Sequence, residues 1–370
     1  MVNALPLALM RGGAASYMAG LARLFADAGY DIHEVPVMDR APVMPHRARQ
    51  VSALITSACT TRPSKPAFHI PPGGIGRVRR RIERLGPDLV LLGNADLLPV
   101  AERGIRAPVI LVAHNIEHRL YADQVAHLTV RSGLLGAFFR RDLKRLTAME
   151  LAGMARMDGI IAISTEDAAW IRANVPKSAP LAIPPIFQGP LPQHSRPRPA
   201  RPLRLAYVAK LSWWPNRRGL DWFVDAVLDH LPPGSVELNV YGPGSEHLQG
   251  RHSALTGHGF IDDLDAVWRD NHIAICPIFE GSGVNVKFAE AVFNGMPVLA
   301  TSYATRGLDW AEDPAVLRLD SAEEWRAILV GDRALDFAAR IPQEESRLRF
   351  GDAASARALA RMIAELTAHL

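Results

Sequence analysis

The chain has 370 residues, 48% apolar and 22% charged, with a formal net charge of +4. It is too long for one ordinary core and suits two domains, its apolar content excludes a disordered or fibrous class, and its weak mixed charge gives no case for nucleic acid. Two widely separated cysteines, Cys59 and Cys276, exclude a disulfide framework and fit a reducing, cytoplasmic compartment, and no apolar run reaches the length of a bilayer span.

The start, "MVNALPLALMRGG", has no basic region before its short apolar run, so no signal peptide is expected. Pro6 cannot donate to a sheet ladder, so the first strand is expected within Met1–Leu5, or the native start lies upstream. Gly12 and Gly13 then precede an amphipathic helix read over Ser16–Ala28. They fit a ligand-facing loop or an ordinary strand-to-helix turn. A basic helix is read over Arg77–Leu85. The segments "DLVLLGN", "PVILVAHN", "DGIIAIS" and "PLAIPP" are apolar on successive residues, the pattern of strands buried on both faces of a parallel sheet. His114 closes the second of them, where ligand-facing residues gather in such sheets, and His118 nearby reads as structural. Leu134–Leu146 is apolar on one side and carries Arg140, Arg141, Lys144 and Arg145. It suits either an anionic membrane surface or a solvated basic face.

Phe187–Pro202 is rich in proline and arginine without periodicity and reads as an interdomain linker. The alternation then restarts with "LRLAYVAK", "VELNVYG", "HIAICPI" and "PVLAT". The expected organisation is a first α/β domain over 1–186, a linker over 187–202 and a second α/β domain over 203–350. Residues 351–370 form a C-terminal helix with the option of returning to the first domain. No zinc-type Cys/His spacing and no Walker P-loop is present, so no metal ligands are assigned.

The richest stretch is "FEGSGVNVKFAEAVFNGMPVLAT", Phe279 to Thr301. Gly281 and Gly283 let the backbone turn tightly and leave amides exposed. A helix placed from about Val284 points its N-terminus at that turn, an anion site that Lys287 can also reach. Glu290 lies on the same helical face, and its carboxylate suits a pair of sugar hydroxyls. Together they describe a site for a nucleoside diphosphate. A solvated Lys–Glu pair on a helix is the plain alternative.

This stretch resembles the donor-binding segment of family-four glycosyltransferases of the GT-B fold. One branch of that family reads Gly-x-Gly-x-x-x-Lys-x-x-Glu-Ala, then Gly-x-Pro-Val-Val. "YVAKLSWWPNRRGLDWF", "VYGPG", "GHGFIDDL" and "TSYATRGLD" resemble other family segments in the right order, as do "AHNIEH" and "DGIIAISTEDAAWI" in the first half. The resemblance implies two Rossmann-like α/β domains with parallel sheets facing an interdomain cleft. It implies transfer of a sugar from a nucleoside-diphosphate sugar to a glycan, lipid-linked or small-molecule acceptor, with retention and without a cofactor or metal. His114, Lys210 and Lys287 are the implied catalytic groups. Gly12, Gly13, Gly281, Ser282, Gly283, Val284 and Glu290 are the implied donor contacts. Peripheral contact with the inner membrane is compatible with this reading, and nucleic acid is not a partner. Two departures stand out. The family's first glutamate falls on Ser282, with Glu280 displaced from it, and the family's Gly-Arg after the linker is Ala209-Lys210, which keeps the charge but loses the bidentate fork. A nucleotide-sugar epimerase on the same frame and a catalytically silent nucleotide-sugar binder are the rival readings.

Overall fold

The computed structural model describes residues 1–10, 13–40, 42, 44–102, 104–126, 133–187, 189–193, 198–281, 283–308, 312–331 and 333–367. The chain forms two compact units, Met1–Pro184 with Ser355–Leu370, and Pro185–Ala354.

The first unit holds a parallel sheet of β1 (Val90–Leu92), β2 (Val109–Ala113), β3 (Gly159–Ala162) and β4 (Leu181–Ala182), side by side in that order. Every residue of β1, β2 and β3 is buried, as their unbroken apolar runs require. Residues 1–4 extend the sheet beyond β1. The Val2 amide donates to Leu91 and the Gly93 amide to Val2, each at 2.8 Å, while Val35 and Val37 donate to Met1 and Asn3 on the other side. The pairing ends before Pro6, and Leu7–Leu9 is a 3-10 turn. The terminal helix Asp352–Thr367 covers β3: a side chain at Gly159 would meet the Met362 methyl at 2.7 Å.

The second unit holds β5 (Leu203–Val208), β6 (Val236–Tyr241), β7 (Leu255–Gly257), β8 (Ile273–Cys276), β9 (Val298–Ala300) and β10 (Val316–Arg318). All described pairs are parallel, in the order β10-β9-β8-β5-β6-β7. From β5 the chain builds outward through β6 and β7, then crosses back to add β8, β9 and β10 on the other side. The reversal between β5 and β8 is a topological switch point, where the carboxyl ends of the strands leave room for a ligand. Phe223, Trp268, Phe288 and Trp325 are fully buried on this sheet, each contributing roughly 2–3 kcal/mol of hydrophobic stabilisation.

Residues 189–193 and 198–202 have no regular structure, yet the segment is anchored on the second unit. Phe187 pairs with Gly351 and packs on Phe293 with ring centroids 5.3 Å apart. Arg201 donates to the carbonyls of Ser235, Leu329 and Val330.

Candidate functional site

In the second unit, the chain leaving β8 turns through Gly281 and Gly283 at φ of 120° and 70°, a conformation that other residues rarely adopt. The turn is held from two sides. On one side is the helix Trp214–Trp222, which follows β5. A Cβ at Gly281 would come within 3.2 Å of the Pro215 ring, and one at Gly219 within 2.1 Å of the Pro277 carbonyl. Arg218 pairs with Glu280 at 2.6 Å, and Trp222 meets Phe279 edge-on at 4.5 Å. On the other side is the segment after β9. Tyr303 donates its hydroxyl to the Gly281 carbonyl. Arg306 donates to the same carbonyl at 2.8 Å and lies 3.9 Å over the Tyr303 ring.

The helix begins at Val286, not at Val284. The cause is Asn285, whose side chain caps it by accepting from the Phe288 amide. The Val286 and Lys287 amides then have no intrahelical acceptor. Lys287 lies in the first turn, and its ammonium bonds the Glu290 carboxylate at 2.6 Å. Glu290 is buried. The two residues expected at diphosphate and ribose are thus each other's partners. Lys210 follows the neighbouring strand β5; it is exposed, and its carbonyl accepts from Trp213 and Asn216. Val284 is half-buried beside the turn. Ser282 and Gly12 lie outside the described residues. Glu280, the displaced glutamate, is bound to Arg218. Arg218, Tyr303 and Arg306 were missed in the sequence. The available signal was position: each belongs to a segment leaving the carboxyl end of a parallel strand.

In the first unit, Gly13 opens the helix Gly13–Asp27, and Tyr17 of that helix donates to the Ile183 carbonyl at 2.6 Å. His114 stands edge-on to Tyr17 at 5.3 Å and bonds the Gly93 backbone. Burial lowers its pKa, against the opposing pull of that bond and of Glu117, so the ring is neutral. His118 is bound within the fold: its Nδ1 lies 2.6 Å from Glu150, whose carboxylate also accepts the Glu117 and His118 amides at 2.8 Å. Glu117 pairs with Lys65. Burial alone would raise the Glu117 pKa, but the charge and hydrogen bond of Lys65 hold it below the usual value. Asp96 pairs with His69 at 3.3 Å. Burial, with Glu117 adding, pushes the Asp96 pKa up to about 7.

The basic stretch of Leu134–Leu146 lies in the helix Gly133–Met154, which turns Asp142, Leu146 and Glu150 inward and leaves Leu134 93% exposed. Arg145 is not part of a free basic face; it donates to the Ser57 and Thr60 carbonyls. Among the described residues no group of three His, Cys, Asp or Glu side chains is arranged to hold a metal ion, and no helix is long and apolar enough to cross a membrane.

Two family models match the chain. One, described as Glycosyltransferase Family 4, matches residues 11–186, and the other, Glycosyl transferases group 1, matches residues 202–328. Among solved structures, sucrose-phosphate synthase from Thermosynechococcus elongatus is 16% identical with a TM-score of 0.69, over 100% of this chain and 99% of that one. The Anabaena protein HepE, solved with UDP-glucose, is 15% identical with a TM-score of 0.65, over 98% and 99%. A variant of S. aureus TarM, solved with UDP among its ligands, is 14% identical with a TM-score of 0.55; the match takes in 79% of this chain and only 58% of TarM. At these identities the likeness is one of fold. No curated protein matches the chain.

Proposed function

Because the chain belongs to family four of the glycosyltransferases and has the GT-B fold of two Rossmann-like units, we propose that it transfers a sugar from a nucleoside-diphosphate sugar to an acceptor. The observation that carries this reading is the Lys287–Glu290 pair at a glycine turn beside the switch point of the second sheet. A diphosphate arriving at the turn draws Lys287 away from Glu290, and the freed carboxylate takes the ribose hydroxyls. Charge grows on the leaving diphosphate as the glycosidic bond breaks. Lys287, Lys210 and the amides at the helix start offset that charge, with no metal required. The sugar is transferred with retention, and the first unit, with His114, holds the acceptor. Leu134, on the same helix as the exposed Arg140 and Arg141, is the point of peripheral membrane contact if the acceptor is lipid-linked.

A thermal-shift screen of UDP, GDP and ADP, with their common sugars, tests this reading. A ligand at a hundredfold over its Kd adds about 2.7 kcal/mol to stability. No stabilisation by any of them would sink the proposal. Release of the free nucleoside diphosphate with a glycosylated product supports it; an altered sugar nucleotide with no release is the epimerase outcome.

A further inference from the structure

The glycine turn of the second unit is gripped by one short segment, and that segment is itself fixed. After β9 the chain makes the 3-10 turn Ser302–Thr305. The Thr301 hydroxyl caps it by accepting the Ala304 amide at 3.1 Å, and donates in turn to the Ile278 carbonyl beyond β8. Ser302 donates its amide and its hydroxyl to the Asp320 carboxylate beyond β10, at 2.8 and 2.6 Å. The segment is thus tied to the chain leaving both neighbouring strands. Thr301 is fully buried, so the first tie is shielded from water. From this platform Tyr303 and Arg306 reach the turn. The Tyr303 hydroxyl and the Arg306 guanidinium both donate to the Gly281 carbonyl, and Arg306 also reaches the Gly283 carbonyl at 3.5 Å. The guanidinium lies over the Tyr303 ring, 3.9 Å from its centroid, so the two side chains act as one body.

A cation and a phenol spent on backbone carbonyls act on the peptide planes of the turn. In a trans peptide the carbonyl and the following amide point in opposite directions. The Gly283 carbonyl is drawn to Arg306, so the Val284 amide points away from it, and that amide has no hydrogen-bond partner among the described residues. The Val286 and Lys287 amides follow at the start of the helix Val286–Phe293. Carbonyls and amides are thereby sorted to separate sides. The sorting needs a clamp because glycine holds no conformation of its own. At φ of 120° and 70°, Gly281 and Gly283 occupy a region that glycine leaves about as readily as it enters. A peptide plane turned over would present its carbonyl oxygen to an anion and repel it.

We propose that Tyr303 and Arg306 are positioning residues for the diphosphate: they hold the carbonyls of the glycine turn to one side and so keep its amides ready for the anion. The inference rests on the glycosyl-transfer reading and adds to it which side chains set the turn. Neither of them touches the leaving group. The gain is preorganisation: a clamped turn has its order before the ligand arrives, whereas a free one must be ordered by binding. The nucleoside end of the donor, which the turn does not hold, draws no benefit from the clamp.

The test is isothermal titration of UDP, GDP and ADP, and of their nucleosides, on the full chain and three variants. Arg306→Met keeps the bulk and removes the donors. It should bind the parent's diphosphate about tenfold more weakly, with the nucleoside unchanged. Tyr303→Phe removes a hydroxyl and no charge, and should bind the same diphosphate about threefold more weakly. Arg306→Lys, with a cation and donors of its own, should regain part of the loss. A silent Tyr303→Phe beside a large loss in Arg306→Met would make Arg306 a direct phosphate contact and overturn the clamp. Equal weakening of diphosphate and nucleoside, with a lower melting temperature, would make the pair merely structural and overturn it as well. Should Arg306→Met not fold, the ratio of diphosphate to nucleoside affinity in Tyr303→Phe decides: a lower ratio than the parent's supports the clamp, and an equal one ends it. If no diphosphate binds the parent, the glycosyl-transfer reading fails; if one binds the parent and every variant alike, only the clamp fails.

Discussion

The two units prepare for ligands in opposite ways. At the glycine turn of the second, the described charges are already met: Lys287 by Glu290, Glu280 by Arg218, and Arg306 by the Gly281 carbonyl. Around Gly93 in the first, Asn3 Nδ2, Asn94 Oδ1 and His114 Nδ1 have no hydrogen-bond partner among the described residues. A ligand at the turn has to displace an internal partner, whereas the atoms around Gly93 have no partner to give up. The stored pair keeps a lysine and a buried glutamate from costing stability in the empty protein. The unmet cluster carries its cost openly, which is the usual mark of a site rather than a core.

The sharpest break in this comparison is Lys287→Ala. It removes a charge-assisted contact worth ~1.5–3 kcal/mol, so kcat/KM should fall roughly ten- to a hundredfold or more. The loss should reach kcat if the contact strengthens as the bond breaks. Lys287→Arg should restore only part of it, and a chelator should leave the parent unaffected. Chelator-abolished activity restored by a divalent metal, with Lys287→Ala near normal, would place the charge stabilisation elsewhere.

Gly93→Ala should act on the other unit alone. Its methyl would sit 2.0 Å from Asn3 Oδ1, and displacing that amide should cost roughly 1–3 kcal/mol by denaturant unfolding. Transfer to the acceptor should slow with it, since His114 bonds the Gly93 backbone, while nucleotide affinity stays. Loss of nucleotide affinity instead would erase the distinction between the units. A smaller effect is expected from Glu290→Gln: about tenfold weaker nucleotide binding with the fold intact. Unchanged affinity for every nucleoside diphosphate that binds the parent would remove Glu290 from the site.

The smallest effect is on pH-dependent stability. Asp96 is raised from 3.8 to about 7 by burial. Between those values the folded chain keeps a proton that the unfolded chain releases, so Asp96 makes stability fall as pH rises from 4 to 7. His69 opposes it. Burial lowers it from 6.5 to about 4, so its contribution is lost as pH falls through that window. With 30% of its side chain exposed, its share is the smaller. Relative to the parent, Asp96→Asn should therefore lose stability less as pH rises across this range, and His69→Gln should lose it more. Melting curves at pH 5 and 7.5 that leave both variants parallel to the parent would show that the pair does not titrate in this range.

Much of the fold was legible because parallel strands buried on both faces write themselves as apolar runs. All eight runs quoted contain a strand, though "PLAIPP" keeps only Leu181–Ala182 before its prolines. The short β7 and β10 were not read; Leu-Thr-Gly and Val-Leu-Arg each include residues that are not buried and make no unbroken apolar run. The start of the Lys287 helix was misplaced by two residues because the capping role of Asn285 went unnoticed. Lys287 and Glu290 were found because they share one helix face, a local relation. The Gly93 cluster was mostly invisible for the opposite reason. Asn3, Asn94 and His114 are brought to Gly93 by strand pairing across a hundred residues, and what marks them is the lack of a bond, which no motif spells.

The central claim is that Lys287 serves the diphosphate and Glu290 the ribose. Isothermal titration of UDP against uridine, with the guanine and adenine pairs in parallel, compares the parent with Lys287→Ala. The account predicts that one diphosphate binds the parent far more tightly than its nucleoside. Lys287→Ala should lose about ten- to a hundredfold for that diphosphate and bind the nucleoside as before. A variant that weakens both ligands equally, or neither, would contradict it.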